Sequence, residues 1–375
     1  MLSLERQRSG KLFLACFCLF FVGPAPTLKA QDFRFLNRTF QTHGFVSQGY
    51  VYTSGNNWLT MRSNGDGSFG DTEMALNIST QVTDNFRMGA QVYDRNLGQL
   101  GQYHPSLDWA MADYRFKSWF GIRGGKVKTV VGLFNDTQDL DFLRPFALLP
   151  QSVYPTDLRD TTIAHVGGDI YGTIALKYQL GDLSYTAYAG HRSDSIYSGY
   201  PYLLSQFGTH FTSFGGLPYG GDLRWATPLK GLLIGASRLD QDTRGRGTGI
   251  DPLNPAGGTI FYSESSRADW TNQFYGDYVH GKLRIESEHR RYVREQSIFS
   301  GTSENDDDVR GWYVSGAYRI NKRLELGSYY SRYSITSING GELAGFPDQT
   351  DTSLPANHVY DKVITGRVDL KNWWT

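Results

Sequence analysis

Cysteine is almost missing from this chain: of 375 residues only Cys16 and Cys18 are cysteines, both within the first thirty. Neither a disulfide framework nor a thiolate-held metal is open to the remainder. A long apolar run is missing too. The longest, Leu12 to Val22, falls well short of the roughly 20 residues that a spanning helix needs. No charge of one sign dominates, since 37 basic residues stand against 37 acidic ones, and nothing in that balance points to nucleic acid. Proline is sparse, and no linker or low-complexity stretch divides the chain. Reaction signatures are lacking as well. There is no Gly-x-Ser-x-Gly elbow, and the eight histidines lie without zinc spacing. Gly276 to Lys282 matches a phosphate loop only until Leu283, where Ser or Thr should hold magnesium. The sequence therefore leads us to expect no enzyme, no cofactor and no metal site.

What is present begins with a targeting pattern. Arg6, Arg8 and Lys11 precede the apolar run, which gives way to Pro24, Pro26 and Leu28-Lys29-Ala30. That is a secretory signal over residues 1–30, with cleavage expected after Ala30. Lipidation at Cys16 fits poorly, because Phe13 and Leu14 stand where small residues are needed. Removing the signal leaves acidic residues ahead by three. The chain as a whole is polar on average, with a mean hydropathy of −0.42, yet holds 43 Gly, 24 Tyr and 22 Phe. Such a mixture suits strands with one wet face and one apolar face.

Period-two alternation follows. Phe86, Met88, Ala90 and Val92 alternate with Arg87, Gly89, Gln91, Tyr93 and Arg95. Met74, Leu76, Ile78 and Val82 alternate with Glu73, Asn77, Ser79 and Gln81, and Leu283 and Ile285 with Arg284, Glu286, Glu288 and Arg290. One set can meet lipid while the other lines water. Connections rotate between short ones, such as Asp84-Asn85, Lys117-Ser118 and His280-Gly281, and long polar ones near residues 53–68, 96–106, 132–167, 191–219, 240–269, 293–309 and 334–358. The rotation predicts strands over 43–52, 69–83, 86–95, 107–117, 119–131, 169–180, 183–190, 221–227, 232–239, 271–279, 283–292, 310–319, 324–333 and 359–370.

The fold class this implies is all-β: an antiparallel transmembrane β-barrel over residues 43–375, with a periplasmic lead-in over 31–42. Fourteen strands are complete, and Trp373-Trp374-Thr375 looks like the opening of a fifteenth. Since bacterial barrels close with an even count, the expectation is a C-terminal truncation of a sixteen-stranded parent. Fourteen strands with a short tail is the alternative. A soluble sandwich also alternates, but three features weigh against it. The strands exceed the usual five or six residues, the inward sets carry many charges that one wet channel can hydrate, and aromatic rings gather near strand ends, as at Phe116, Trp119, Phe120, Trp225, Phe274, Tyr278, Trp312, Tyr318 and Tyr360.

Candidate functional residues lie in the lumen of such a barrel. The connection Phe134 to Thr162 carries Asp136, Asp139 and Asp141 together with apolar pieces such as Phe146 to Leu149. Folded inward, its carboxylates would face a basic wall of Arg87, Arg95, Arg115, Lys126 and Lys128, and charged rings of this kind set ion selectivity. Arg123 has the wrong parity for that wall. The plainer alternative is that these charges pair with neighbours such as Glu73 and Asp113. Two acidic runs, Asn64-Gly65-Asp66-Gly67 and Glu304-Asn305-Asp306-Asp307-Asp308, lack full calcium-loop spacing and read as solvated loop tips; a share in divalent ions with lipopolysaccharide phosphates is the sharper reading.

Several stretches resemble a known family: Gly121-Ile122-Arg123-Gly124-Gly125-Lys126-Val127-Lys128, Gly132-Leu133-Phe134-Asn135-Asp136-Thr137, Arg144-Pro145, Leu148-Leu149-Pro150-Gln151-Ser152-Val153-Tyr154, and Leu223 to Leu232. From about residue 40 onward the chain is similar to the porin-like outer-membrane proteins of environmental Gram-negative bacteria. The resemblance implies a sixteen-stranded general or weakly selective porin, often a homotrimer, passing small hydrophilic solutes by diffusion, with outer-membrane lipid and lipopolysaccharide around it. A non-channel barrel (adhesin, receptor or barrel enzyme) is the alternative. The early stop departs from the family pattern and puts closure of this exact polypeptide in doubt.

Overall fold

Extended segments with alternating side chains hydrogen-bond edge to edge, and the short polar connections make each pair antiparallel. The computed structural model describes residues 15–17, 31–35, 38–55, 57–140, 143–197, 199–251, 254, 257–299, 303–336 and 358–370. The signal region, apart from Ala15–Phe17, lies outside the described residues, as do Asp141 and Trp373-Trp374-Thr375.

Fourteen strands form one continuous meander: β3 (Arg38–Tyr52), β4 (Ser68–Thr83), β5 (Phe86–Leu97), β6 (Ser106–Lys117), β7 (Phe120–Lys128), β8 (Ala164–Ala175), β9 (Asp182–Ser193), β10 (His210–Ala226), β11 (Leu232–Ile250), β12 (Thr259–His280), β13 (Leu283–Ile298), β14 (Ser303–Arg319), β15 (Leu324–Thr336) and β16 (His358–Val368). Each pairs antiparallel with the next. The other edge of β3 carries two short pieces, β1 (Ala15–Phe17) and β2 (Gln31–Phe35). Among the described residues no ladder joins β16 to β3. All fourteen strands expected from the alternation are present, so the fold is all-β and antiparallel. The long-loop ends of β10 to β14 run well past the expected limits, and the run Glu304 to Asp308 lies within β14 instead of at a loop tip.

Curvature of the sheet follows from one segment. Residues 129–163 leave β7, and Gln91 of β5 donates to Asp139 at 2.7 Å, whereas Thr365 of β16 donates to the carbonyl of Pro145 at 3.2 Å. Six residues span at most roughly 20 Å. In a flat sheet β5 and β16 would lie about 50 Å apart, at ~4.8 Å per strand. Side-chain reach does not close that gap, so the wall wraps around the segment.

Candidate functional site

The segment 129–163 crosses the interior, and each strand from β5 to β16 supplies a group that touches it. Its base is pinched shut by Asn135, whose amide donates to the carbonyls of Thr129 at 2.8 Å and Thr162 at 2.9 Å. At Gly132 (φ +65°) the chain turns inward, and a Cβ there would collide with Gln273 and Glu288, so only glycine fits. Gly132 donates to Ser237 Oγ at 2.9 Å and accepts from Arg224 at 2.9 Å. Farther along, Arg290 holds the carbonyl of Val153 at 3.1 Å, Arg284 that of Leu143 at 2.8 Å, and Arg367 that of Arg144 at 3.2 Å. Phe146 packs edge-on against Tyr329 with centroids 5.1 Å apart.

The main anchor is Glu288 on β13, which is 1% exposed. Its carboxylate accepts from Tyr313 OH at 2.6 Å, Gln273 Nε2 at 2.7 Å, Tyr154 OH at 2.8 Å and the Leu133 amide at 3.0 Å. Four donors, two of them from the internal segment, satisfy a buried charge that apolar surroundings would not tolerate. Neither Glu288 nor this role was singled out from the sequence beyond its inward parity.

The predicted site residues scatter among three environments. Asp139 is buried and pairs with Lys128 at 2.5 Å, and Lys128 also lies 3.7 Å from Asp108. Arg159 reaches Asp108 at 3.1 Å, and Arg95 binds the carbonyl of Thr156 at 2.8 Å and Asp160 at 3.2 Å. Asp136 sits 3.9 Å from Arg224. Acid and base thus meet in direct contact here and do not face one another across open space. Arg87 is different. Its side chain is about half exposed and only 3.9 Å from Asp113, and it lines a cavity of about 240 Å³ with Asn77, Ser79, Gly89, Trp109 and Asp113. Arg115, nearer the short-turn end, lies 5.9 Å from the Tyr171 ring centroid.

Lys126 and Arg123 require a correction. Lys126 pairs with Ala110 and Val166, a row that faces outward, and its Nζ donates to the carbonyl of Leu107 at 2.6 Å. Arg123 points inward, 2.9 Å from buried Asp169 and 4.4 Å from the centroid of Tyr171. The alternation that would give the phase is hidden in β7, because inward Gly121 and Gly125 carry no side chain and Gly125 adopts φ +125°.

Charge and burial set opposite behaviours for two of the segment's carboxylates, Asp136 and Asp139. Burial pushes the Asp136 carboxyl up, with Arg224 opposing. At Asp139 burial is more than offset by Lys128 and Arg159, which hold it below the usual carboxylate range. A depressed carboxyl stabilises the fold fully above its unfolded value of about 4, and that contribution is lost as pH falls through the folded value. Asp139→Asn is therefore expected to lower the thermal midpoint at pH 7 and to leave it nearly unchanged at about pH 2. Equal effects at both values would show that the Lys128 pairing is not the source.

The two faces of the wall decide the architecture. Inward positions hold buried Gln91, Arg95, Asp222, Gln273, Glu286, Glu288 and Ser315. Outward positions hold Leu76, Val92, Ile122, Val166, Leu223, Ile234, Phe274, Ile285, Val314, Leu326 and Ile364, all exposed, Leu76 by 61% and Phe274 by 59%. A polar inside beneath an apolar outside inverts a water-soluble protein and matches a strand wall in hydrocarbon. The fold is that of an outer-membrane β-barrel. Rings also cluster where it expects them: Phe86, Tyr114, Phe116, Trp119 and Phe120 form a chain of contacts at the short-turn end.

No family model matches this sequence, and no curated protein does. Among solved structures, the outer membrane channel DcaP of Acinetobacter baumannii is similar over 89% of this chain and 88% of its own, at 12% identity and a TM-score of 0.49. OmpT, an outer membrane protein of Vibrio cholerae, is similar over 92% and 99%, at 10% identity and 0.42. An anion-selective porin from Comamonas acidovorans is similar over 96% and 100%, at 10% identity and 0.36. The faces of the wall, not these likenesses, carry the assignment of the barrel.

Proposed function

We propose that the chain is a porin of the Gram-negative outer membrane, exported by a cleaved signal over residues 1–30 and passing small hydrophilic solutes or ions by diffusion, with a homotrimer as its working assembly. The observation that carries this reading is the internal segment. It narrows the lumen by hanging from β5 to β16, while the inward face of β4 to β6 keeps a polar cavity lined by half-exposed Arg87. Among the candidate wall residues, Arg87 is the one whose charge stands beside that cavity, with Asp113 at 3.9 Å as its ion-pair partner. It is our selectivity residue, with Arg115 below it; Arg95, Lys128 and Asp139 act by holding the segment in place.

Single-channel recording in planar bilayers tests the proposal. The refolded protein should give stepwise conductance. Arg87→Glu should shift the permeability ratio toward cations, on the order of twofold to tenfold, because a charge in a narrow lumen acts at short range. Lys126→Ala should leave the reversal potential where it was, since that side chain lies on the outer face. A folded protein without conductance steps would favour a non-channel barrel.

A further inference from the structure

On the outer face, register sets a line of basic side chains across four neighbouring strands. Arg238 of β11 stands opposite Asn272 of β12, Asn272 opposite Arg291 of β13, and Arg291 opposite Arg310 of β14. One outward position nearer the short turns, the same four strands present Ala236, Phe274, His289 and Trp312, and the next level presents Ile234, Gly276, Ser287 and Val314. Two residues rise about 7 Å, so on these four strands the arginines form the first charged layer above the apolar belt, on the long-loop side.

The row is built, not merely exposed. Asp308 accepts Nε and Nη2 of Arg291, both at 3.0 Å, and also Nη2 of Arg310 at 2.9 Å, so one carboxylate fixes two guanidiniums side by side. Asp240 takes Nε and Nη2 of Arg238 at 2.6 and 2.5 Å, and its Nη1 donates to Asn272 at 3.1 Å. The Trp270 ring lies between Arg238 at 4.6 Å and Arg291 at 5.4 Å. Yet the arginine side chains remain 44%, 44% and 56% exposed, and the Nη1 groups of Arg291 and Arg310 have no protein partner among the described residues. Three guanidiniums against two carboxylates leave a net positive charge at the height of the lipid headgroups.

We propose that this row is a binding site for the phosphate of an outer-leaflet lipid headgroup, with the acyl chains lying against Phe274, Trp312 and Val314 below it. A phosphate offers acceptor oxygens that adjacent guanidiniums can take at once, and a planar guanidinium suits it better than an ammonium. A lipid is favoured over free phosphate because the donors sit directly above a surface that only acyl chains would cover. The inference rests on the apolar belt meeting lipid and is independent of conduction.

The test uses the refolded full chain in octyl glucoside, a detergent without phosphate, mixed with a diphosphorylated glucosamine lipid and passed through size exclusion. Phosphorus in the protein peak is the readout. Wild type should retain the lipid, and the double variant Arg291→Gln/Arg310→Gln should retain roughly tenfold less, since hydrogen bonds to charged groups are the strong ones. Arg244→Gln, farther out and 73% exposed, should retain as much as wild type and controls for nonspecific charge loss. Resistance to SDS at room temperature shows that each variant is folded. Retention by the double variant equal to wild type, or equal retention of the dephosphorylated lipid, would overturn the proposal. Displacement of the lipid by inorganic phosphate alone would overturn the choice of a lipid. Failure of the wild-type protein to insert into phosphatidylcholine vesicles would instead strike the membrane assignment itself.

Discussion

Replacing Glu288 by alanine is expected to destabilise the folded barrel by about 3–5 kcal/mol. The change removes one acceptor and strands four donors: the hydroxyls of Tyr154 and Tyr313, the amide of Gln273 and the backbone N–H of Leu133. All of them are at least half-buried, so water does not fully replace the carboxylate. Two of those donors belong to the internal segment, and Tyr154 also accepts from the Phe134 amide at 3.0 Å, which ties both sides of the inward turn to one residue. Glu288→Gln keeps the shape but sets an NH2 among groups that already donate, and should recover only part of the loss. A urea titration in micelles reads the effect as a lowered midpoint at unchanged slope. In the same variant, protease should cut within residues 140–150 before the wall unfolds. A midpoint shift below about 1 kcal/mol would mean that the segment is held chiefly by its other contacts.

That anchor marks the limit of what the sequence discloses. Alternation exposes parity, and parity placed Glu288 and Arg290 on the inner face correctly. It says nothing of which inward groups converge, because Tyr154 and Glu288 are separated by 134 residues and meet only once the sheet has curled. The fourteen strands were legible for the same reason that their outer ends were not. Inside the bilayer the outward row is apolar, as in Ile234 and Phe274, so the two sets differ in chemistry. Beyond it the outward row of β11 becomes Arg238, Asp240, Asp242, Arg244 and Arg246, and a strand with two polar faces reads as a loop although its ladder continues to Ile250. The short helix Gly199–Ser205, which packs against residues 156–161 and β10, also went unforeseen. Its seven residues are too few to display a helical period. In β7 the failure was one of phase, where glycines at 121 and 125 erased the inward side chains that would have assigned Arg123 and Lys126.

Val314→Arg separates the membrane wall from a water-soluble one more sharply than any contact in the lumen. Val314 lies on β14 between the short-turn end at Arg319 and the charged level at Arg310, and is 46% exposed on the outer face, beside Ser287 and Tyr330. On a protein surface in water, exchanging a half-exposed valine for arginine typically changes stability by less than about 0.5 kcal/mol. At the bilayer midplane the same exchange costs about 2–4 kcal/mol, because the guanidinium must be dragged to a headgroup or hydrated within hydrocarbon. Arg310 stands two levels farther out on the same face of this strand. The comparison therefore calls for two arginines on neighbouring strands: Val314→Arg on β14, and Ser334→Arg on β15, beside Arg310 at the charged level. In phosphatidylcholine vesicles the first should lose about 2–4 kcal/mol and the second less than about 1 kcal/mol, following the depth dependence of charge in lipid. The same pair in micelles, where detergent can rearrange around the new charge, should differ less. Equal losses at both levels in vesicles would mean that depth in lipid is not what distinguishes these rows, and the apolar belt would then need an occupant other than a bilayer.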